Sequence, residues 1–336
     1  IELEKNEAPT DILSACPYCG VGCGTILKTQ NGRIVNVIPD KDHPTNKGLQ
    51  CIKGLTSAEA IYVNRLTKPL IRKDMSDPLR GRVSKTKGSY DPSLFREASW
   101  EEAEELIADR IAEIVLAEGG NAVGLYGSGQ LSLEGQYLEN IFMKGVLGSN
   151  TIEANARMCM TSAVTGYFKS LGSDTPPTCY DDIELADMIC FWGHNARGAH
   201  PILYWRVADH KSKTNIPTLV VDPRRTGTVQ GLEEINPANS HHFPTINGDI
   251  SIQNALAYAI MEKHPKAVAW DFIKNHTTGW QEYVDAVKSG YNPKDVEDRT
   301  KIPAERIYEI AKVWAEATLK GKQRGTGGVL CIWGIG

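Results

Sequence analysis

Apolar residues recur along this chain with two periods, and each change of period marks an element. Thr25–Thr29 and Arg33–Ile38 alternate as two strands joined by the tight turn Asn31-Gly32. Ser99 stands where a helix N-cap belongs, with Glu102 at the capping-box position. Ala103, Leu106, Ile107, Ile111, Ile114 and Val115 then form one apolar face, which Gly119-Gly120 ends. Beyond it, short apolar runs alternate with helical patterns. The spacing predicts strands over Ala122–Tyr126, Met188–Trp192, Ile216–Val221 and Val329–Trp333. It predicts helices from Thr161 and over Pro201–Lys211, Ile252–His264 and Pro303–Leu319. This β-then-α rhythm implies an α/β fold with a mostly parallel sheet, behind a small β-rich module that carries cysteines. The expected domains are residues 1–65 and 66–336. Residues 57–98, rich in Pro, Gly and Lys, read as a surface connector with a short helix near Ala58–Val63. Because the chain stops just past an apolar strand, it is expected to be a piece of a longer protein, inactive alone.

Composition narrows the classes. A net charge of −4 gives no electrostatic footprint for nucleic acid or anionic lipid. No run approaches the ~20 apolar residues of a membrane span, and residues 1–11 are polar and acidic without a signal-like run. Cytoplasm is the expected compartment. The 8 cysteines are too sparse for a disulfide scaffold, yet four crowd into the first 51 residues.

Those four are Cys16, Cys19, Cys23 and Cys51, spaced C-x2-C-x3-C-x27-C, with Lys53 two residues beyond the last. Three cysteines in eight residues, with glycines between, can wrap an iron–sulfur cube, and a fourth closes the site from a distant loop. Four cysteines also suit structural zinc, although only one pair here has the C-x2-4-C knuckle form. Spacing alone leaves both open.

A fifth cysteine, Cys159, lies in Asn155-Ala-Arg157-Met158-Cys159-Met160-Thr161. Alone it reads as a small buried apolar residue; beside Arg157 and a helix start, its thiolate would be stabilised for metal binding. Loops rich in Gly, Asn, Asp and Arg follow the predicted strands: Tyr126–Gln130, Trp192–Asn195, Val221–Thr226 and Asn247–Asp249. Ligands of open α/β sheets bind beyond the carboxyl ends of the strands. None of these loops is a G-x-G-x-x-G or Walker loop, so NAD and ATP sites are not supported.

The ordered set resembles the molybdopterin oxidoreductases that carry a bis(molybdopterin guanine dinucleotide) cofactor and a [4Fe–4S] cluster. The resemblance implies that Cys16, Cys19, Cys23 and Cys51 hold the cluster and that Cys159 ligates molybdenum. It places Lys53 between cluster and pterin, as an aid to electron passage. It assigns the pterin dinucleotide to Gln130, Asn155, Trp192, Gly193, His194, Asn195, Asp222, Arg224, Thr226, Gly248 and Asp249, which match family segments.

Within the family, the segments Asn155–Val164 and Asp174–Asp182 are similar to monomeric-type nitrate reductases, assimilatory and periplasmic. Formate dehydrogenases place a proton-handling histidine directly after the metal-ligating residue. Here that place is Met160, and oxygen-atom removal from nitrate does not need the neighbouring base. The implied activity is reduction of nitrate to nitrite, with electrons passing from the cluster to molybdenum. The donor would be a ferredoxin, a flavodoxin or a reductase subunit. The alternatives are formate dehydrogenase, or a non-catalytic iron–sulfur relay subunit. One departure stands out: the family's Gly-Ser-Asn, followed by an acid before His-Pro, is here Gly193-His194-Asn195-Ala-Arg197-Gly198-Ala-His200-Pro201. His194 reads as a satisfied polar residue, and Arg197 as a ligand for a phosphate or an incoming anion. Cys179, Cys190 and Cys331 read as core residues, Asp181-Asp182-Glu184 as a solvated helix start, and His241-His242 as a strand-edge pair.

Overall fold

The computed structural model describes residues 8–73 and 92–334, so residues 74–91 of the expected connector lie outside the described residues. The chain forms two compact units, Ile1–Glu59 with Ser173–Gly336, and Ala60–Gly172. The expected domains follow chain order, whereas the compact units interleave.

The N-terminal module of the first unit is an antiparallel sheet of β1 (Thr10–Ala15), β2 (Gly24–Gln30) and β3 (Arg33–Pro39), in that order. The two expected strands are present, turning through Asn31 and Gly32, both at positive φ. β1 was not legible because none of its residues is buried, leaving no apolar alternation to read. A short helix, α1 (Ile52–Leu55), follows Cys51.

The second unit starts with α2 (Glu59–Tyr62) near the expected short helix, then a strand pair, β4 (Leu70–Arg72) with β5 (Phe95–Glu97). Helix α3 (Trp100–Glu118) begins and ends where expected: the Ser99 side chain accepts from the Glu102 N–H, and Gly119 at φ 83° closes it. The capping box is not completed. The Glu102 carboxylate turns to Arg96, because a charged hydrogen bond outweighs a neutral one. Of the expected apolar face only Ala103 is buried. Strand β6 (Leu125–Gly127), helix α4 (Leu133–Asn140), strand β7 (Ile152–Ala154) and helices α5 (Ala156–Cys159) and α6 (Thr161–Leu171) complete the unit. β6 and β7 pair in parallel.

The remainder of the first unit alternates strand and helix: β8 (Met188–Trp192), α7 (Ala196–Ala199), α8 (Pro201–Thr214), β9 (Thr218–Val221), α9 (Gly227–Ile235), β10 (Ser240–Phe243) and α10 (Asp249–Lys263). Helices α11 (Trp270–His276), α12 (Trp280–Gly290), α13 (Pro293–Thr300) and α14 (Ala304–Arg324) precede β11 (Val329–Trp333). The four strands pair in parallel in the order β10-β9-β8-β11. β8 and β9 are buried throughout, as expected of continuous apolar strands covered on both faces.

Their side chains alternate between two cores. Met188, Cys190 and Trp192 join Leu219 and Val221 under α10 and α14, with Leu256, Ile307 and Ile310. Ile189, Phe191 and Val220 face α8 and α9 on the other side, with Val207 and Leu232. Val21 and Cys23 belong to that second core, so the cysteine module rests on the α8–α9 face of the sheet.

Candidate cofactor and metal site

The cysteine loop folds back on itself. The Cys16 N–H donates to the Cys23 carbonyl at 2.8 Å, and Gly22, at φ 75°, makes the bend that brings them together. Cys23 is buried, while Cys16, Cys19 and Cys51 are half-buried. Burial first, then the charges of Cys16, Cys19 and Cys51, pushes the Cys23 thiol up to about 11. The four cysteines are therefore in electrostatic reach of one another, and a bound cation would favour the Cys23 thiolate. Among the described residues, no three His, Cys, Asp or Glu side chains are gathered for a single metal ion.

Two residues that sequence reasoning missed hold this loop. Asn46, almost fully buried, accepts from the Gly24 N–H at 2.7 Å and donates to the carbonyls of Gly24 and Leu49. Arg206 on α8, its side chain 5% exposed, donates to Glu184, Asp181 and the carbonyls of Pro44 and Thr45. Asp181 and Glu184 are thus not merely a solvated helix start. Arg206, then Lys47, holds Asp181 below the usual carboxylate range. Burial pushes Glu184 up, but the Arg206 hydrogen bonds and charge, with Lys47, outweigh it. A single Arg in an amphipathic helix gave no signal; its partners lie 22 and more residues away.

Lys53 is half-buried. Its Nζ donates to the Gly198 carbonyl at 3.1 Å and lies 5.2 Å from the centre of the Tyr18 ring. One side chain therefore joins the cysteine loop to the loop after β8.

That loop and its neighbours at the carboxyl ends of β9 and β10 are closely built. Gly193 takes φ 57° as the chain leaves β8 beside buried Trp192. Asn195 Oδ1 accepts from the Thr228 N–H and hydroxyl, tying the loop to the start of α9. Arg197, expected as an anion ligand, has its guanidinium toward the Gly227 carbonyl and Glu234. Asp222, 6% exposed, accepts the Arg224 N–H at 2.8 Å, while the Arg224 side chain is exposed. Gly248 and Asp249 open α10. His242 donates into this region, to the Asp222 carbonyl.

In the second unit, Asn155 Oδ1 accepts the Gly129 N–H at 2.9 Å, fixing the loop that carries exposed Gln130. Cys159 closes α5 and Met160 lies between α5 and α6. Cys159 is exposed, and Met158 beside it is 83% exposed. Arg157 on α5 pairs with Glu153 on the preceding strand β7 at 2.6 Å.

Cys190 is buried as expected, but Cys179 and Cys331 are exposed. Cys331 sits at the open edge of the sheet, directly opposite Cys190 on β8, a neighbour no sequence spacing reveals. A cavity of about 730 Å³, lined by Trp192, Trp270, Trp280, Trp314 and Trp333, has no charged lining residue. It does not suit an anion.

A family model for the molybdopterin oxidoreductase Fe4S4 domain matches residues 11–63, and one for molybdopterin oxidoreductase matches residues 65–288. The chain belongs to the molybdopterin oxidoreductase family. These matches indicate a molybdopterin cofactor with molybdenum and a [4Fe–4S] cluster. A nitrate reductase of Synechocystis sp. is 31% identical over 96% of this chain and 41% of its own length. A periplasmic nitrate reductase of Campylobacter fetus is 38% identical over 79% of this chain and 28% of its own length. A nitrate reductase of Symbiobacterium thermophilum is 34% identical over 92% of this chain and 39% of its own length. The chain thus spans less than half the length of these curated relatives. The fold is similar to that of acetylene hydratase from Pelobacter acetylenicus, with a TM-score of 0.70 and 18% identity, covering 96% of this chain and 40% of that one. Membership of the molybdopterin oxidoreductases therefore rests on sequence, and the shared fold by itself names no reaction.

The residues fit the family's cofactor. Buried side-chain atoms without a protein hydrogen-bond partner include His194 Nδ1, Thr226 Oγ1 and Thr245 Oγ1. They follow β8, β9 and β10 respectively, where a dinucleotide would bring acceptors and donors. Among the described residues, no helix is long and apolar enough to cross a membrane.

Proposed function

We propose that this chain is part of a molybdenum enzyme that reduces nitrate to nitrite. In this reading Cys16, Cys19, Cys23 and Cys51 hold the cluster and Cys159 ligates the metal. The strand-end loops hold a bis(molybdopterin guanine dinucleotide). Bound molybdenum supplies the two-electron exchange in which nitrate loses an oxygen.

The chain's own residues then position and insulate. Lys53 keeps a cation between the cysteine loop and the β8 loop, where it offsets the negative charge an arriving electron adds. Asn155 fixes the loop of Gln130, and Asn195 ties the β8 loop to α9. The observation that carries the choice of nitrate is Met160, directly after Cys159: this side chain cannot take a proton, as removal of hydrogen from formate would require. The nitrate reductase names of the relatives support it.

The electron donor in this reading is a ferredoxin, a flavodoxin or a reductase subunit. The compartment is the cytoplasm, where free Cys179, Cys190 and Cys331 stay reduced. The test is nitrite formation by the full-length protein with a reduced dye as donor. Nitrite production without formate oxidation is expected. Formate-dependent dye reduction without nitrite would overturn the substrate, and iron without molybdenum would favour a relay subunit.

A further inference from the structure

Cys190 and Cys331 stand directly opposite each other on the parallel strands β8 and β11, so their side chains leave the sheet on the same face. Neighbouring strands lie about 4.8 Å apart, inside the Cα separation of about 4.4–6.8 Å that a disulfide spans. The two thiols have opposite surroundings. Cys190 is fully buried in the core under α10 and α14. Cys331, on the edge strand of the described sheet, is exposed to the tryptophan-lined cavity and forms part of its wall.

Their protons are held unequally. The hydrogen bond from Cys190 lowers the Cys331 thiol; burial opposes this, and a hydrogen bond from Trp192 adds to it. Burial first, then the hydrogen bond to Cys331, raises Cys190 well above an ordinary thiol. One thiol is therefore the readier nucleophile and can be reached, while the other waits behind it. An oxidant-reactive cysteine and its resolving partner need that division. The cavity also selects the oxidant. At about 730 Å³ it admits a small molecule, and without a charged lining residue it favours a neutral one. Cys179 supplies an internal reference: it is also exposed, but it lies outside every strand and has no register partner.

We propose that Cys331 is a peroxide-reactive thiol and Cys190 its resolving partner, oxidised together to a disulfide between β8 and β11. The Cys331 thiolate attacks one oxygen of hydrogen peroxide. The O–O bond breaks, and the departing hydroxide takes up the proton that the thiol released, leaving as water. The Cys190 sulfur then attacks the sulfenic sulfur of Cys331. The S–O bond breaks, and the hydroxyl leaves with the Cys190 proton as a second water. The two sulfurs lose two electrons and the peroxide gains them; a thiol reductant reverses the change. The new bond would lie just short of the loop that leaves β8, where the Gly334 N–H donates to the Trp192 carbonyl at 3.0 Å. The proposal depends neither on the cofactor nor on nitrate.

The test is peptide mass spectrometry of the full-length protein, reduced, freed of reductant, treated with one equivalent of hydrogen peroxide and then alkylated. The expected product is a peptide pair linked through Cys190 and Cys331, released by reduction, with Cys179 still alkylated. Cys190→Ser is expected to trap Cys331 as a sulfenic acid, raising its labelling by dimedone about tenfold over the parent. Cys331→Ser is expected to leave Cys190 unoxidised. The parent protein alone decides the matter if the serine variants fail to fold. Absence of the linked pair in the parent overturns the proposal. So does oxidation of Cys331 no faster than that of Cys179, or equal dimedone labelling of the parent and Cys190→Ser.

Discussion

The two cysteine-bearing regions are prepared by the protein to very different degrees. Around Cys16, Cys19, Cys23 and Cys51, a buried asparagine, a buried arginine and an apolar core shared with the parallel sheet fix the loop before any ligand enters. Cys159 is exposed at the end of a one-turn helix, and Arg157, two residues before it, is paired with Glu153. The lesson is that position in a cofactor site need not imply equal preorganisation. The first cysteine loop is shaped by buried polar contacts and a core, whereas the Cys159 segment leaves its thiol exposed.

The largest effect that would test this contrast is at the cluster. Cys23→Ala is expected to reduce iron from about four atoms per chain to near zero, since the loop of Cys16, Cys19 and Cys23 holds no spare cysteine to replace it. Iron analysis and visible absorbance read this directly. Cys159→Ala is expected to leave iron unchanged; parallel loss of iron would mean that the two regions are built as one.

Core substitutions sharpen the same comparison. Phe191, fully buried in the core that the sheet shares with the cysteine module, is expected to cost about 3–5 kcal/mol as Phe191→Ala. Leu116→Ala, on a side chain 89% exposed in α3, is expected to stay within ~0.5 kcal/mol. Denaturant midpoints of the two variants measure the difference.

Arg206→Met is next, at roughly 2–4 kcal/mol, because it strands the carbonyls of Pro44 and Thr45 and the Glu184 carboxylate. It also removes a pH dependence. Asp181 and Glu184 are held below their ordinary values, so their contribution is present above pH ~4 and lost as pH falls through the folded values. Thermal melts between pH 3 and 6 should show that acid loss in the parent and a flatter profile in the variant.

Lys211 gives a pH effect of opposite sign. It is 1% exposed, donates to the carbonyls of Ile216 and Asn239, and burial lowers it to about 8. A depressed lysine makes stability rise as pH climbs from about 8 towards its ordinary 10.5. Lys211→Met should abolish that rise in melts across the alkaline range.

Much of this was legible in the sequence because it is local. Met188–Trp192 and Val329–Trp333 coincide with β8 and β11, whose unbroken apolar runs have no other use. The Ser99 cap and the Gly119 stop were read correctly for the same reason. Long-range polar contacts were not legible. Asn46, Arg206 and the Cys190–Cys331 pair acquire meaning only when segments meet, and Glu102 abandoned its box for a partner outside the helix. The exposed face of α3 marks a further limit: periodicity shows where an apolar stripe lies, not whether the described residues cover it.

The most direct measurement is X-ray absorption at the molybdenum edge of the full-length protein, compared with its Cys159→Ala variant. The expected result is sulfur ligation from the pterin cofactor plus one further sulfur, with that one sulfur lost in the variant. A molybdenum environment unchanged by the substitution would contradict the assignment of Cys159 as the metal's protein ligand.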